Sequence, residues 1–371
     1  MKSFLETYGI AIFTLVVIAI LIAFAGPFGL RIKQYMLDKA NYTHQIGTEE
    51  IDKATNGDMQ KKIDPTDIYA MLYADGELVL SPRPITPEKE VYGNGAGNYG
   101  KVVNPYAVPW NPNPFSSKPL SIQKVRLLDT IAPTSCSSWF MNCENLTEIS
   151  NFEKLNVSNC NYFTSMFDTC TSLVNIDGLS NWNVSNGKDF QEMFNGCTSL
   201  VNIDGLSNWN VSNGTNFLNM FKNCTSLVNI DGLSNWNVSN GNYFTSMFDT
   251  CTSLVNLDAL KNWNVSNAKK FLDMFKNCTS LVNIDGLSNW NVSNVTIFRG
   301  VFYKCTSLVN IDGLKNWNVS NGNDFQYMFD GCTSLTDTSP LVSWLTNGTG
   351  MKSDANTTGM FSNVPGGYPF N

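Results

Sequence analysis

Cysteines offer the widest chemistry in this chain of 371 residues, because a thiol can ligate a metal, attack a substrate or form a disulfide. Eight of the ten recur every 27 residues: Cys143, Cys170, Cys197, Cys224, Cys251, Cys278, Cys305 and Cys332. No CxxC pair and no histidine accompanies any of the eight, which argues against zinc. So regular a spacing predicts a structural column in a repeat array, not a disulfide framework.

The redox state of this cysteine column follows from the expected packing of the repeats. Neighbouring helices would lie about 8–10 Å apart, whereas a disulfide requires Cα atoms within about 7 Å. We therefore expect small buried thiols that behave as hydrophobic side chains. Cys160 lies outside the register, in a slot that most units fill with glycine. We expect it to be the exposed thiol.

A second column consists of aspartates, whose carboxylates could bind a hard cation. Its members are Asp177, Asp204, Asp231, Asp258, Asp285 and Asp312. Strands stacked about 4.8 Å apart would align these groups on one surface, and Ca²⁺ prefers such oxygen ligands. The favoured alternative is that each aspartate, which glycine or alanine follows, caps its own turn.

Tryptophans and asparagines also recur once in each unit. The tryptophans are Trp182, Trp209, Trp236, Trp263, Trp290 and Trp317. An exposed indole column could stack on sugars, but its place in the hydrophobic register favours the core. Asn183-Val184-Ser185 and its copies match the N-glycosylation triplet. We interpret these asparagines instead as a buried ladder that hydrogen-bonds turn backbone.

Catalytic groups are scarce. The single histidine, His44, precedes the repeats, so the array lacks the usual general base. Gly95 to Gly100 match a dinucleotide-binding pattern in letters only, since no helical pattern follows. We expect no enzymatic activity, no catalytic residues and no cofactor. The net charge of −7 also argues against nucleic-acid binding.

The repeating unit itself divides into two halves. Leu173 to Asp177 are apolar-rich and precede a glycine, which is typical of a short strand. Phe190, Met193, Phe194 and Cys197 follow the i, i+3, i+4, i+7 spacing of one helix face. Ser185 and Asn186 stand before that segment as candidate N-caps. One short strand and one short helix per unit predict an α/β solenoid with a leucine-rich-repeat-like array.

Stacking is required by the small size of the unit. The apolar side chains of one unit cannot offset the conformational entropy of ordering 27 residues. We therefore expect the units to fold only as a continuous array. Degenerate units at both ends, with Leu155 and Trp344 in the tryptophan slot, are interpreted as caps.

The region before the array is organised differently. Residues 9–30 carry no charge and are long enough to cross a membrane as a helix, with a cleaved signal peptide as the nearest alternative. Arg31, Lys33 and Lys39 follow this segment, and the positive-inside rule alone would keep the body cytoplasmic. The predicted divisions are a short tail (1–8), a transmembrane signal-anchor (9–30), a partly helical polar stalk (31–67), a β-hairpin with a Pro/Gly-rich linker (68–120), the solenoid with end caps (121–364) and a C-terminal tail (365–371).

The repeat carries a family resemblance. The pattern MF-x-x-C-x-SL-x-x-I-D-x-L-S-N-W-x-x-SN, over roughly 121–364, resembles the BspA-like bacterial surface repeat, a leucine-rich-repeat class. The chain departs from it at WNVSN and lacks a C-terminal cell-wall sorting signal.

The resemblance implies a location on the extracellular face of the cell membrane and a role in adhesion. The partner would be a surface protein or glycan of a host or neighbouring cell, and membrane attachment would fall to residues 9–30. A faint similarity of the N-terminal segment to type IV pilin-like proteins gives an alternative, in which the solenoid is a spacer in a structural subunit.

Overall fold

The computed structural model describes residues 65–95, 98–102, 122–346 and 350–369. The predicted anchor (9–30), His44 and most of the predicted stalk and linker lie outside these ranges. Among the described residues, none of the helices has the length and apolar character needed to cross a membrane.

A five-stranded sheet precedes the repeats. Its strands are β1 (Tyr69–Leu72), β2 (Glu77–Ser81), β3 (Asn98–Lys101), β4 (Lys124–Leu127) and β5 (Glu148–Ser150), in the spatial order β3-β1-β2-β4-β5. β1 and β2 pair antiparallel around Asp75-Gly76, where the sequence places its hairpin, and Gly76 takes the left-handed conformation with φ 81°. β4 pairs parallel to β2 and to β5. The hairpin therefore continues directly into the array and covers its first units.

The predicted helix in each unit is wrong. From Phe190 to Cys197 the chain forms consecutive turns, with Glu192 and Gly196 in the left-handed region. The N–H groups of Met193 and Cys197 donate to carbonyls three residues back, and those of residues 190, 192, 194 and 196 donate to the next unit at 2.8 to 2.9 Å. An α-helix would direct these donors to its own i−4 carbonyls. Consecutive turns place the same side chains inward, and they leave alternate backbone N–H groups available for hydrogen bonds to the next unit.

The predicted helix caps are accordingly wrong as well. No helix follows Ser185 and Asn186, and the Asn186 side-chain amide instead donates to Ser158 O in the preceding unit. Its copies repeat this bond at 2.6 to 2.8 Å. The asparagine thus contributes to contact between units and not to the start of a helix.

The predicted strand is largely replaced by a turn. Leu173 to Ile176 do not form a β-strand, and a one-turn 3₁₀ helix begins at Asp177. The 3₁₀ helices of the array are Phe152–Lys154, Asp177–Leu179, Asp204–Leu206, Asp231–Leu233, Asp258–Leu260, Asp285–Leu287, Asp312–Leu314 and Ser339–Val342, followed by the short helix α1 (Ser343–Thr346). Neighbouring units are instead joined by isolated parallel β-bridges just before the phenylalanines. The first bridge joins Tyr162 to Asp189, and the last joins Asp324 to Asn356.

Aromatic columns fill the core. Successive tryptophans from Trp182 to Trp344 stack with ring centroids 6.1 to 6.5 Å apart and planes within 8°. Each indole N–H donates to a carbonyl 30 residues earlier, as Trp236 does to Leu206 O at 3.0 Å. The same oxygen accepts the backbone N–H of Trp209. One carbonyl therefore links two neighbouring units.

Glycine makes room for the phenylalanine column. A Cβ at Gly187 would lie 2.5 Å from Phe190 Cζ and 3.1 Å from a ring carbon of Phe163 in the preceding unit. Ala268 and Val295 occupy the same slot in two units. There Phe271 meets its two neighbours edge-on, at 60° and 66°, and not stacked. The size of this residue thus sets how adjacent rings pack.

The core of the array continues into its degenerate end units. At the front, Cys136, Trp139, Phe140 and Cys143 are fully buried. At the back, Met360, Phe361 and Val364 are buried, and Trp344 makes the indole bond to Leu314 O. Leu155 is buried in the tryptophan slot.

A second glycine column sets how closely units approach. A Cβ at Gly232 would collide with Ile203 O of the preceding unit. Ala259 occupies this slot in one unit. In four units the valine N–H donates a backbone hydrogen bond to the valine carbonyl of the preceding unit, and the donors are Val201, Val228, Val282 and Val309. Among the described residues, Val255, in the unit that contains Ala259, does not donate this bond.

We predict that Gly232→Ala lowers the free energy of unfolding by about 1–3 kcal/mol, because the backbone must move to accept the Cβ. Gly178→Ala is the matched control in the same column, since its Cβ would lie 3.7 Å from Phe152 Cβ in ordinary contact. Urea denaturation of both variants measures the difference. Equal midpoints would contradict this account of the close approach.

Candidate binding faces of the repeat array

One exposed face is nearly uniform along the array. Its valines are 39% to 50% exposed: Val174, Val201, Val228, Val255, Val282 and Val309. Beside them, the threonine hydroxyls from Thr198 to Thr333 each donate to the threonine carbonyl of the preceding unit, as Thr198 does to Thr171 O at 3.3 Å. We name these valine, threonine and aspartate columns the uniform face.

The aspartate column lies on this face. Each aspartate is the first residue of a 3₁₀ turn, and the N-cap position before it is an isoleucine or a leucine. The prediction that aspartate caps its own turn is wrong, because the Asn175 side-chain oxygen accepts the Asp177 N–H instead. Among the residues that the structure describes, no three His, Cys, Asp or Glu side chains form a group that could hold a metal ion.

A second, partly exposed face differs among most units, although the units that begin at Asn161 and Asn242 are identical there. It comprises positions 188, 189, 191, 192, 195 and 196 and their counterparts, and we name it the variable face. Its polar side chains connect units: Glu192 accepts hydrogen bonds from Ser165 Oγ at 3.2 Å and from Asn219 Nδ2 at 3.1 Å. Asp249 accepts a bond from Thr250 Oγ1 at 2.9 Å and lies 3.4 Å from Lys222 Nζ. These hydrogen bonds and the ion pair connect side chains of the face across neighbouring units.

Tyrosines give the variable face its largest exposed rings. Tyr162, Tyr243 and Tyr327 are 44%, 54% and 42% exposed. Near the C-terminal end, Tyr303 meets Tyr327 edge-to-face at 6.4 Å, and Lys304 Nζ lies 5.1 Å from the Tyr303 ring. Exposed tyrosines of this kind combine large contact area with a hydrogen-bonding hydroxyl, which suits protein and sugar partners.

The tryptophan column does not contribute to either face. Trp182 to Trp317 are only 1% to 4% exposed, and their N–H groups are engaged within the array. The asparagines of the glycosylation-like triplet are on the surface, so their predicted burial is wrong, whereas their predicted hydrogen bonds to turn backbone are present. Asn183 is exposed, and its side-chain oxygen accepts the Ser185 N–H within its own turn.

All ten cysteines are buried with free thiols. The prediction that Cys160 is exposed is wrong, because it lies beneath the first units with Sγ 3.1 Å from Pro133 O. From Cys170 to Cys332 each Sγ lies 3.1 to 3.2 Å from a phenylalanine carbonyl 30 residues earlier. Burial raises the pKa of Cys143 and Cys332 to about 12, and it also raises the pKa of the members between them.

Sequence comparison assigns the family. A family model described as "Mycoplasma protein of unknown function, DUF285" matches residues 134–256, 201–286 and 244–365, together more than half of the chain. The chain belongs to the DUF285 family. Three overlapping matches within one chain confirm the repeat array. They do not show that the chain belongs to the narrower BspA-like class. No curated protein matches the chain.

A solved structure shows a distant similarity to this DUF285 chain. It is a leucine rich cell surface protein from Faecalibacterium prausnitzii A2-165, 16% identical, and the alignment covers 72% of this chain and 91% of that one. Its TM-score of 0.27 is too low to carry a structural or functional argument.

The thiol column predicts a steep alkaline loss of stability. The folded-state pKa values are raised, so stability is complete below about pH 8.5, where the unfolded thiols are also protonated, and falls as pH rises toward 12. Each thiol then contributes a loss of about 1.4 kcal/mol per pH unit.

Urea midpoints measured between pH 7 and 10.5 check this, and a Cys224→Ala/Cys251→Ala variant serves as the control with a shallower slope. Native thiols that titrate near pH 9, read by thiolate absorbance, would contradict it.

Proposed function

We propose that this DUF285 chain is a cell-surface protein that binds a protein or glycan of a host or neighbouring cell. Residues 9–30 would anchor it to the membrane with the array on the extracellular face. The proposal includes no catalytic role. What supports it most directly is the distribution of sequence variation: inward residues repeat almost unchanged, while the variable face differs among most units and exposes tyrosines.

Inward positions and positions on the variable face are under different packing constraints. Inward side chains must match both neighbouring units, so they tolerate little change. Outward side chains contact neighbouring units only at the surface, so more residue types fit there, and contacts between units do not by themselves account for the exposed Tyr162, Tyr243 and Tyr327. Aromatic side chains held on a rigid scaffold are typical of recognition surfaces.

The test uses the full chain on intact cells. Protease shaving should release fragments of the array, and the protein should bind host-matrix proteins or a glycan panel. We predict that a Tyr162→Ser/Tyr243→Ser/Tyr327→Ser variant loses at least about tenfold in affinity, as expected for the loss of hot-spot aromatics.

The matched control is Val174→Ser/Val228→Ser/Val309→Ser, which changes three similarly exposed residues on the uniform face. It should bind like the unmodified chain. Unchanged binding by the tyrosine variant, or an array that protease cannot reach on intact cells, would rule the proposal out. Recovery of the chain in filaments would instead favour the structural spacer.

A further inference from the structure

Two departures from the repeat occur together at the front of the array. Cys136 occupies the slot that Phe163 and Phe190 fill in later units, and Cys160 occupies the slot of Gly187. In the later units where the phenylalanine rings stack, this slot holds glycine, because two rings lie over it. A side chain at position 160 is tolerated because position 136 no longer carries a ring. The two substitutions therefore compensate each other sterically.

Their joint effect is to bring two thiols into contact. Cys136 Sγ lies 3.4 Å from Cys160 Sγ, and both side chains are fully buried. The remaining cysteines of the array are arranged differently, since Cys170 and its successors direct Sγ toward a phenylalanine carbonyl. A disulfide bond is about 2.05 Å long, so the 136–160 pair needs an approach of only about 1.4 Å.

We propose that Cys136 and Cys160 form a disulfide that ties the first half-unit of the array to the unit that follows it. The oxidant is a thiol-reactive disulfide, either an oxidised thiol–disulfide oxidoreductase or glutathione disulfide. The thiolate of one cysteine attacks this disulfide, forms a mixed disulfide and releases one thiol. The second thiolate then attacks the protein-bound sulfur, forms the Cys136–Cys160 bond and releases the second thiol.

Burial determines when this bond forms. Both thiols are inaccessible in the packed array, and burial together with the neighbouring Cys160 raises the pKa of Cys136 well above its usual range. Thiolate is the reactive form, so oxidation takes place while the front units are still unpacked. Packing then shields the finished bond.

The position of the cross-link has a structural reason. Internal units are held by repeats on both sides, whereas the half-unit around Cys136 has a repeat on one side only. A bond between positions 24 residues apart restricts the unfolded chain at this end. Among the ten cysteines, this is the pair whose disulfide would cross-link an end of the array.

The full-length chain, purified in detergent, provides the test. It is reduced, unfolded and refolded in a glutathione redox buffer, then denatured and alkylated with iodoacetamide. We expect eight alkylated cysteines, a peptide pair linked through Cys136 and Cys160, and a higher urea midpoint than for the reduced chain.

Two variants keep the result interpretable. Cys160→Gly restores the residue of the later units and should refold with nine alkylated thiols and no link. Cys143→Ala, which removes a member of the regular column, should retain the 136–160 link. Ten alkylated thiols under conditions that oxidise a reference disulfide protein, or links spread over the regular column, would overturn the proposal.

In the cell, oxidation at this pair rests on the proposed surface location, because disulfides persist outside the cytosol. The refolding experiment does not depend on that location. A link that forms on refolding but is absent from cell-derived protein therefore counts against the surface location and leaves the chemistry of the pair supported.

Discussion

The structure depends on backbone hydrogen bonds that each unit can make only with its neighbour. In the turn segment, alternate N–H groups point out of the unit, as those of Phe190 and Phe194 do toward carbonyls of the next unit. A solitary unit would leave these donors without protein partners and would expose its aromatic core. Units of 27 residues are therefore parts of one cooperative array and not small domains.

Close contact between units restricts the sequence of the interior. Trp236 shares the carbonyl of Leu206 with a backbone donor, and Gly232 lies against the preceding chain. A change at such positions disturbs two units at once, which is the physical reason that the interior columns repeat so faithfully. Where the glycine slot is filled by Ala268, the adjacent phenylalanine rings change from stacked to edge-on.

The two exposed faces follow from the same constraint. Side chains on the uniform face belong to the segment that forms the 3₁₀ turn of each unit. Because that turn recurs in every unit, the face is nearly as regular as the interior. Side chains on the variable face only bridge neighbouring units at the surface, as Glu192 does, and can differ along the array. A scaffold that fixes its interior while it frees one face suits recognition, which is the basis of the function proposed for this DUF285 chain.

The sequence by itself determined the repeat, its period and the hydrophobic inward columns, because hydrophobic spacing reports which side chains are buried. It could not distinguish a helix from consecutive turns between Phe190 and Cys197, since both conformations place the same four side chains inward. Tertiary structure decided that choice, because hydrogen bonds to the next unit replace those within a helix. It also decided the burial of Cys160, which depends on the missing ring at position 136 and not on any local pattern.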